Sequence, residues 1–209
     1  MELLTTGITF FQKGGIVMYV LLLCSLFVLS IGIERALYFR RMDSGRAFAR
    51  DFYLALANGK RQQAEKLADD ARGALADILF AVITKKPEAR KNPATYMEVQ
   101  SGIALAKLRK RLYYLSVIVT MAPLLGLLGT ISGMITSFSV FNLESGQATA
   151  ITGGVGEALI ATAMGLCVAI VSLAVHAYFS QRIENIVTDM EQCFSMVETA
   201  DDESKEEAA

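Results

Sequence analysis

The chain has 209 residues, 53% of them hydrophobic, and a mean hydropathy of +0.41, which is more apolar than a water-soluble domain of this size carries and points to segments that cross a bilayer. Its 20 basic and 21 acidic residues nearly cancel, leaving a net charge of −1. It contains no G-x-x-x-x-G-K-[ST], no H-E-x-x-H and no nucleophile elbow, so enzymatic chemistry, a metal and a cofactor are not expected, and neither is nucleic acid as a partner.

Residues 1–15 form a short amphipathic lead-in with Phe10, Phe11, Gly14 and Gly15, read as an extracytoplasmic, interfacial segment or simply a frayed terminus. Residues 16–33 carry no charge and form the first predicted transmembrane helix, since roughly 20 residues cross hydrocarbon about 30 Å thick. No basic segment directly precedes them and no small-residue cleavage site follows, so they read as a retained anchor. Glu34 and Arg35 at the end of this span read as an interfacial ion pair or two solvated charges.

Residues 34–111 form a basic helical domain. Phe48, Phe52 and Leu56 make one helical stripe, stopped by Asn58-Gly59, and Leu75, Ile78, Leu79 and Val82 make another. Asn92-Pro93 offers an N-cap followed by proline at the first helical position. Nothing beyond Pro93 forces a stop before Asn142, so a single helix of about 50 residues is expected, roughly 70 Å long at 1.5 Å per residue. Its first part projects into the cytoplasm, Arg109, Lys110 and Arg111 mark the membrane surface, and residues 112–141 are the second transmembrane helix, with Pro123 a point of kinking.

Residues 142–157 read as a short extracytoplasmic loop and residues 158–180 as the third transmembrane helix. Residues 181–199 continue as a cytoplasmic helix whose stripe of Ile183, Ile186, Val187, Met190, Phe194 and Val197 needs a partner, in the same chain or in a neighbouring subunit. Residues 200–209 read as a disordered acidic tail. Seventeen of the twenty lysines and arginines lie between Arg35 and Arg111, and the loop at 142–157 has none. The positive-inside rule therefore places the N-terminus outside and the middle domain and C-terminus in the cytoplasm. Cys24, Cys167 and Cys193 show no paired or metal-like spacing, and no disulfide is expected.

The most informative pattern is shared by spans two and three. Gly126, Gly129, Thr130, Gly133 and Ser137 repeat the spacing of Ala158, Ala161, Thr162, Gly165 and Ala169. Steps of this kind put small residues on one helical face, where they permit close backbone approach between membrane helices. The face reads as a tight helix–helix interface or, with a threonine on each helix, as the lining of a narrow polar passage. Each threonine can equally bond back to its own helix. Glu157, preceded by Gly153-Gly154-Val155-Gly156, reads as an interfacial carboxylate favoured by a helix N-terminus, or as a membrane carboxylate able to exchange protons or ions. His176, the one histidine, reads more simply as an interfacial residue than as a proton relay.

These segments resemble the ExbB/TolQ/MotA family of proton-channel subunits. The resemblance is carried by Ala122-Pro123-Leu-Leu-Gly126-Leu-Leu-Gly129-Thr130 with Gly133, and by Gly156-Glu157-Ala158-Leu-Ile-Ala161-Thr162-Ala163-Met-Gly165-Leu with Ala169-Ile170. The Gly14-Gly15 lead, the Glu34-Arg35 exit and the three-span layout extend it over nearly the whole chain. Val171 stands where the family usually has proline, and His176-Ala177 where it has a Tyr-Asn pair. The ExbB branch is the most similar; the MotA branch would require an additional span.

The resemblance implies an all-α, three-span protein of a bacterial inner membrane, with long second and third helices reaching into the cytoplasmic domain. It implies a ring-forming homo-oligomer, a pentamer around two copies of a single-span ExbD- or TolR-like protein, that conducts protons and energises TonB-dependent transport through a TonB-like protein. Matched residue by residue, Thr130, Glu157 and Thr162 belong to the polar lining and proton pathway, while Gly126, Gly129, Gly133, Ala158, Ala161, Gly165 and Ala169 form the packed pore wall. A TolQ-like envelope-maintenance role and a passive membrane scaffold are the alternatives. An independent small-molecule transporter would show internal binding polarity and repeats that the sequence lacks.

Overall fold

The computed structural model describes residues 15–141 and 148–206, and the regular structure among them is all helical. The helices are α1 (Gly15–Met42), α2 (Arg46–Ala57), α3 (Arg61–Asp70), α4 (Ala74–Ile83), α5 (Pro87–Arg90), α6 (Pro93–Arg109), α7 (Leu112–Phe141) and α8 (Ala148–Glu206). Three stretches, in α1, in α6–α7 and in α8, are long and apolar enough to cross a membrane. The chain divides into two compact units, residues 1–33 with 112–177 and residues 34–111 with 178–209.

The first unit holds the apolar parts of α1, α7 and α8. Each helix buries one narrow face: Met18, Leu21, Val28 and Ile31 on α1, Leu112, Leu115, Ile118 and Ala122 on α7, and Ala158, Ala161, Val168 and Ala169 on α8. Their spacings keep each set on one side of its helix. The remaining faces are covered with exposed large apolar side chains such as Leu23, Leu124, Ile135 and Ile170. That much exposed hydrocarbon suits lipid or a neighbouring membrane helix, and helices satisfy their own backbone groups there. Phe27 meets Tyr114 edge-on at 6.2 Å between ring centroids. α7 carries Pro123 in its interior without interruption.

The loop expected at 142–157 is shorter than its glycines suggested. α8 begins at Ala148, so residues 148–157 are helical, and residues 142–147 lie outside the described residues. Each glycine disfavours helix by roughly 1 kcal/mol relative to alanine. No proline interrupts this stretch, however, and a backbone in an apolar medium is driven to satisfy its own hydrogen bonds. The lead-in at residues 1–14 also lies outside the described residues.

The second unit holds α2 to α6 with the end of α1 and the later part of α8. Phe52 and Leu56 are buried on α2 as the periodicity requires, while α4 buries Leu75, Ile78, Leu79 and Val82. α2 stops where Asn58 Nδ2 donates to Leu54 O at 2.6 Å and Gly59 adopts φ +70°. Gly73, at φ +124°, precedes α4, and a Cβ there would stand 2.5 Å from Ser44 Oγ. The same Ser44 hydroxyl accepts from Ala76 N–H at 3.2 Å, so a residue distant in sequence does what an N-cap side chain usually does. At α6 the cap is local, with Asn92 Oδ1 accepting from Thr95 N–H at 3.2 Å ahead of Pro93.

The stripe on α8 finds its partner within the same chain. Ile183, Ile186, Met190, Cys193 and Val197 are buried, with Val187 and Phe194 only half-buried at the margin. Phe39 and Phe179 pack at 5.0 Å, Arg182 Nε pairs with Asp43 Oδ2 at 3.0 Å, and Arg46 Nη2 donates to Asn185 Oδ1 at 2.7 Å. Cys193 Sγ donates to Ala49 O at 3.5 Å. Burial, followed by the charge of Asp189, pushes the Cys193 thiol up to about 12, which removes thiolate chemistry near neutral pH.

Two expectations in this region are corrected. The single helix foreseen from Pro93 is interrupted at Lys110-Arg111, and the acidic segment from residue 200 continues α8 as far as Glu206. Acidic residues favour solvent but do not break a helix, and Arg61 reaches Asp201 at 3.3 Å. Residues 207–209 lie outside the described residues.

Candidate functional site: the α7–α8 seam

The two small-residue stripes meet each other. A Cβ built on Gly126 would stand 3.0 Å from Ala161 O and from Thr162 Cα, one on Gly129 would stand 2.6 Å from Ala161 Cβ, and one on Gly133 would stand 3.0 Å from Ala158 Cβ. From the α8 side, a Cβ on Gly165 would fall 2.5 Å from Ala122 O and 3.0 Å from Gly126 Cα. The order of partners is antiparallel, with Gly126 opposite Thr162 and Gly133 opposite Ala158. Helix axes approach this closely only where the facing residues are small, and close packing of this kind holds membrane helices together when lipid is as apolar as leucine.

The seam therefore leaves no room for a passage between its own two stripes within one chain. Thr162 Oγ1 donates across it to Gly126 O at 3.2 Å, fastening α8 to α7 instead of bonding back to its own helix. Thr130 does bond back, donating to Leu127 O at 2.7 Å, and remains half-buried. Ser137, 8% exposed, donates to Gly133 O at 2.8 Å. Ala158, Ala161 and Ala169 are buried at 4%, 1% and 7% exposure.

Glu157 lies in α8, one position before Ala158, and its side chain falls outside the described residues. The helix begins nine residues earlier, at Ala148. An N-terminal helix dipole acts within about the first turn, so that explanation for a carboxylate at 157 no longer applies. His176 is half-buried near the end of the apolar stretch.

Ser172 was missed from the sequence. It is completely buried, and its hydroxyl donates to Leu115 O on α7 at 3.0 Å. The signal was present, because Ser172 follows Ala169 by three residues and so extends the stripe by one further step. Replacing Ser172 by alanine should cost about 0.6 kcal/mol and no more than about 1.7 kcal/mol, the average and the maximum found for interhelical hydrogen bonds in a membrane protein. Reversible unfolding in mixed micelles checks it; no loss would mean that the Leu115 carbonyl finds another donor.

Comparison with known proteins places these features in a family. The family model described as the MotA/TolQ/ExbB proton channel family matches residues 70–192. A Synechocystis protein named ExbB-like 1 is 35% identical over 170 residues, covering 79% of this chain and 67% of that protein. ExbB-like 3 of the same organism is 34% identical over 166 residues, covering 78% of this chain and 79% of its own length. The Tol-Pal system protein TolQ of Pseudomonas aeruginosa is 34% identical over 82 residues, 39% of this chain and 36% of that one. With its three apolar helices and a family match spanning both helices of the seam, the chain is a multi-pass membrane protein and belongs to the MotA/TolQ/ExbB proton channel family.

Proposed function

We propose that this chain is an ExbB-like subunit of an inner-membrane motor driven by the proton motive force. Five copies form a ring around two copies of an ExbD- or TolR-like single-span protein, whose membrane aspartate exchanges protons. Through a TonB-like protein the assembly energises TonB-dependent transport. The N-terminus lies outside and the C-terminus in the cytoplasm, as the charge asymmetry favours. The chain is not an enzyme and needs no cofactor; its role is to supply the wall and to hold polar groups along the proton path.

The observation that carries this reading is the seam itself. α7 and α8 are locked together over four glycines, with main-chain atoms opposite Gly126 and Gly165 and alanine methyls opposite Gly129 and Gly133, so they act as a stiff pair while Thr130 remains half-buried and Glu157 occupies the adjoining step of α8. In this account Thr130, Glu157 and Thr162 line the path formed when the pair meets its partners.

A strain lacking the chain should regain energised uptake from the wild type, while Glu157→Gln and Thr162→Val should each lower uptake at least about tenfold, the scale of about 1.4 kcal/mol. Assembly, read by native gel, should be unchanged. Wild-type uptake in both variants would remove their proposed roles.

The passive scaffold is the competing reading, and the bond from Thr162 to Gly126 favours it: a hydroxyl already engaged in fastening two helices has less to offer a proton. Under that reading Thr162→Val weakens the seam slightly and Glu157→Gln changes nothing. For the TolQ-like alternative, the rescued phenotype would be envelope integrity and not uptake.

A further inference from the structure

The exposed apolar side chains of α1 form a row. Leu22, Leu26, Leu29, Ile33 and Leu37 recur at steps of four or three, so they share one face of the helix, and all five are exposed. The next steps of that row are Arg40 and Arg41, both exposed. A face that is apolar and then turns cationic is the pattern of a helix leaving hydrocarbon for the headgroups. Long basic side chains there keep their stems in apolar surroundings and their charge in water.

The end of α6 brings a second pair of cations beside α1. Arg35 is 4% exposed, so it does not form the solvated pair its position allowed. Its Nε and Nη2 donate to the two carboxylate oxygens of Glu34 at 2.8 and 2.6 Å, and its Nη1 donates to Lys107 O at 3.1 Å and Leu108 O at 3.4 Å. Position 35 of α1 therefore lies beside position 107 of α6. Lys107 and Lys110, one turn apart, are exposed, and Tyr113 and Tyr114 on the next turn are 70% and 50% exposed, as tyrosines of an interfacial belt are. Arg40 and Arg41 lie about 8 Å along α1 from Arg35 at 1.5 Å per residue, so extended side chains carry their charge back toward the same depth.

These charges are not consumed within the chain. Arg111 pairs with Glu34 at 3.1 Å, Arg109 with Glu184 at 3.8 Å, and Asp43, the acidic residue nearest Arg40 and Arg41 in sequence, holds Arg182. Among the described residues no carboxylate pairs with Arg40, Arg41, Lys107 or Lys110.

We propose that Arg40, Arg41, Lys107 and Lys110 form a binding surface for the headgroups of anionic phospholipids in the adjoining leaflet. The two arginines offer forked donors to phosphate oxygens and the two lysines offer point charges. Orientation by charge requires only that cations stay on one side of the membrane. A preference for anionic lipid requires them exposed, unpaired and at headgroup depth, and these four meet all three conditions. Lipid is favoured over free phosphate because the arginines continue a lipid-facing apolar row: acyl chains lie along Ile33 and Leu37 while the phosphate meets the cations. The proposal rests on the chain spanning a bilayer and not on its conducting protons.

Native mass spectrometry of the full chain, delipidated in neutral detergent and titrated with equal amounts of phosphatidylglycerol and phosphatidylcholine, tests this. The wild type should retain phosphatidylglycerol over phosphatidylcholine by at least about tenfold, and each of Arg40→Gln, Arg41→Gln, Lys107→Gln and Lys110→Gln should lower that ratio, by up to roughly fivefold per charge. The four together should bring it near one with the helical signal retained, since all four side chains are exposed. Arg109→Gln, which removes a charge already paired, should lower the ratio less than any of the four. Inorganic phosphate at the lipid's concentration should displace none of the bound phosphatidylglycerol. Equal retention of the two lipids by the wild type would overturn the proposal without any variant. So would an unchanged ratio in the fourfold variant, an equal loss in Arg109→Gln, or displacement by inorganic phosphate.

Discussion

Gly165→Leu should abolish the folded α7–α8 pair, and Gly165→Ala should already destabilise it by about 1 to 3 kcal/mol, the usual cost of overpacking. The reason is the identity of the obstacles. A Cβ at 165 would meet Ala122 O at 2.5 Å and Gly126 Cα at 3.0 Å, both main-chain atoms that cannot rotate aside. Gly129 offers a comparison, since its nearest obstacle is the Ala161 methyl at 2.6 Å; Gly129→Ala combined with Ala161→Gly should therefore recover part of the loss. Gly156→Ala is the control on the same helix, with nothing within 4 Å of the added Cβ. Mixed-micelle unfolding should rank the variants Leu, Ala, then the control. Equal stability of Gly165→Ala and wild type would mean that the helices do not approach this closely.

Phe39→Ala should cost about 3 to 5 kcal/mol, the range for removing a buried aromatic side chain. Phe39 is fully buried, and Phe179, 4% exposed, packs against it at 5.0 Å between centroids. Neither residue lies in α2 to α6, yet both belong to the second unit. Loss of Phe39 should therefore expose that unit to limited proteolysis between α2 and α6. The two rings share one contact, so Phe39→Ala and Phe179→Ala should be less than additive. Full additivity in unfolding measurements would argue that the rings are energetically separate.

The particular residues explain how far the sequence could be read. Asn92-Pro93 announced the start of α6 because both signals are local: a side chain that accepts from the chain three residues on, and a ring fixed at a helical φ. The stripes on α7 and α8 were legible because spacing specifies which residues share a face. Spacing does not specify what the face meets, so it left open a packed seam, a polar passage or a neighbouring subunit. The α8 stripe beyond Gln181 was open in the same way, until Phe39 and α2 supplied its partner. Thr162 and Thr130 held equivalent positions in sequence, yet one bonds across the seam and the other to its own helix.

Other features lay beyond periodicity altogether. Ser44 caps α4 from 32 residues away, and Arg35 reaches main chain 72 residues ahead; no pattern in a window of one or two turns carries such information. The break at Lys110-Arg111 has no local breaker to announce it. The residues at 153 to 156 misled in the other direction, because glycine marks a turn only where the surroundings do not force the backbone to bond internally.

Proton movement across the membrane separates a proton-conducting subunit from a passive scaffold. The chain should be reconstituted in vesicles with a single-span, aspartate-bearing ExbD- or TolR-like protein, and an imposed pH gradient followed with an enclosed dye. The complex should dissipate the gradient faster than vesicles holding either protein alone, and Glu157→Gln should return the rate to that background. Dissipation no faster than the single-protein vesicles, or an unaltered rate in Glu157→Gln with the complex intact, would contradict the proton-conducting reading.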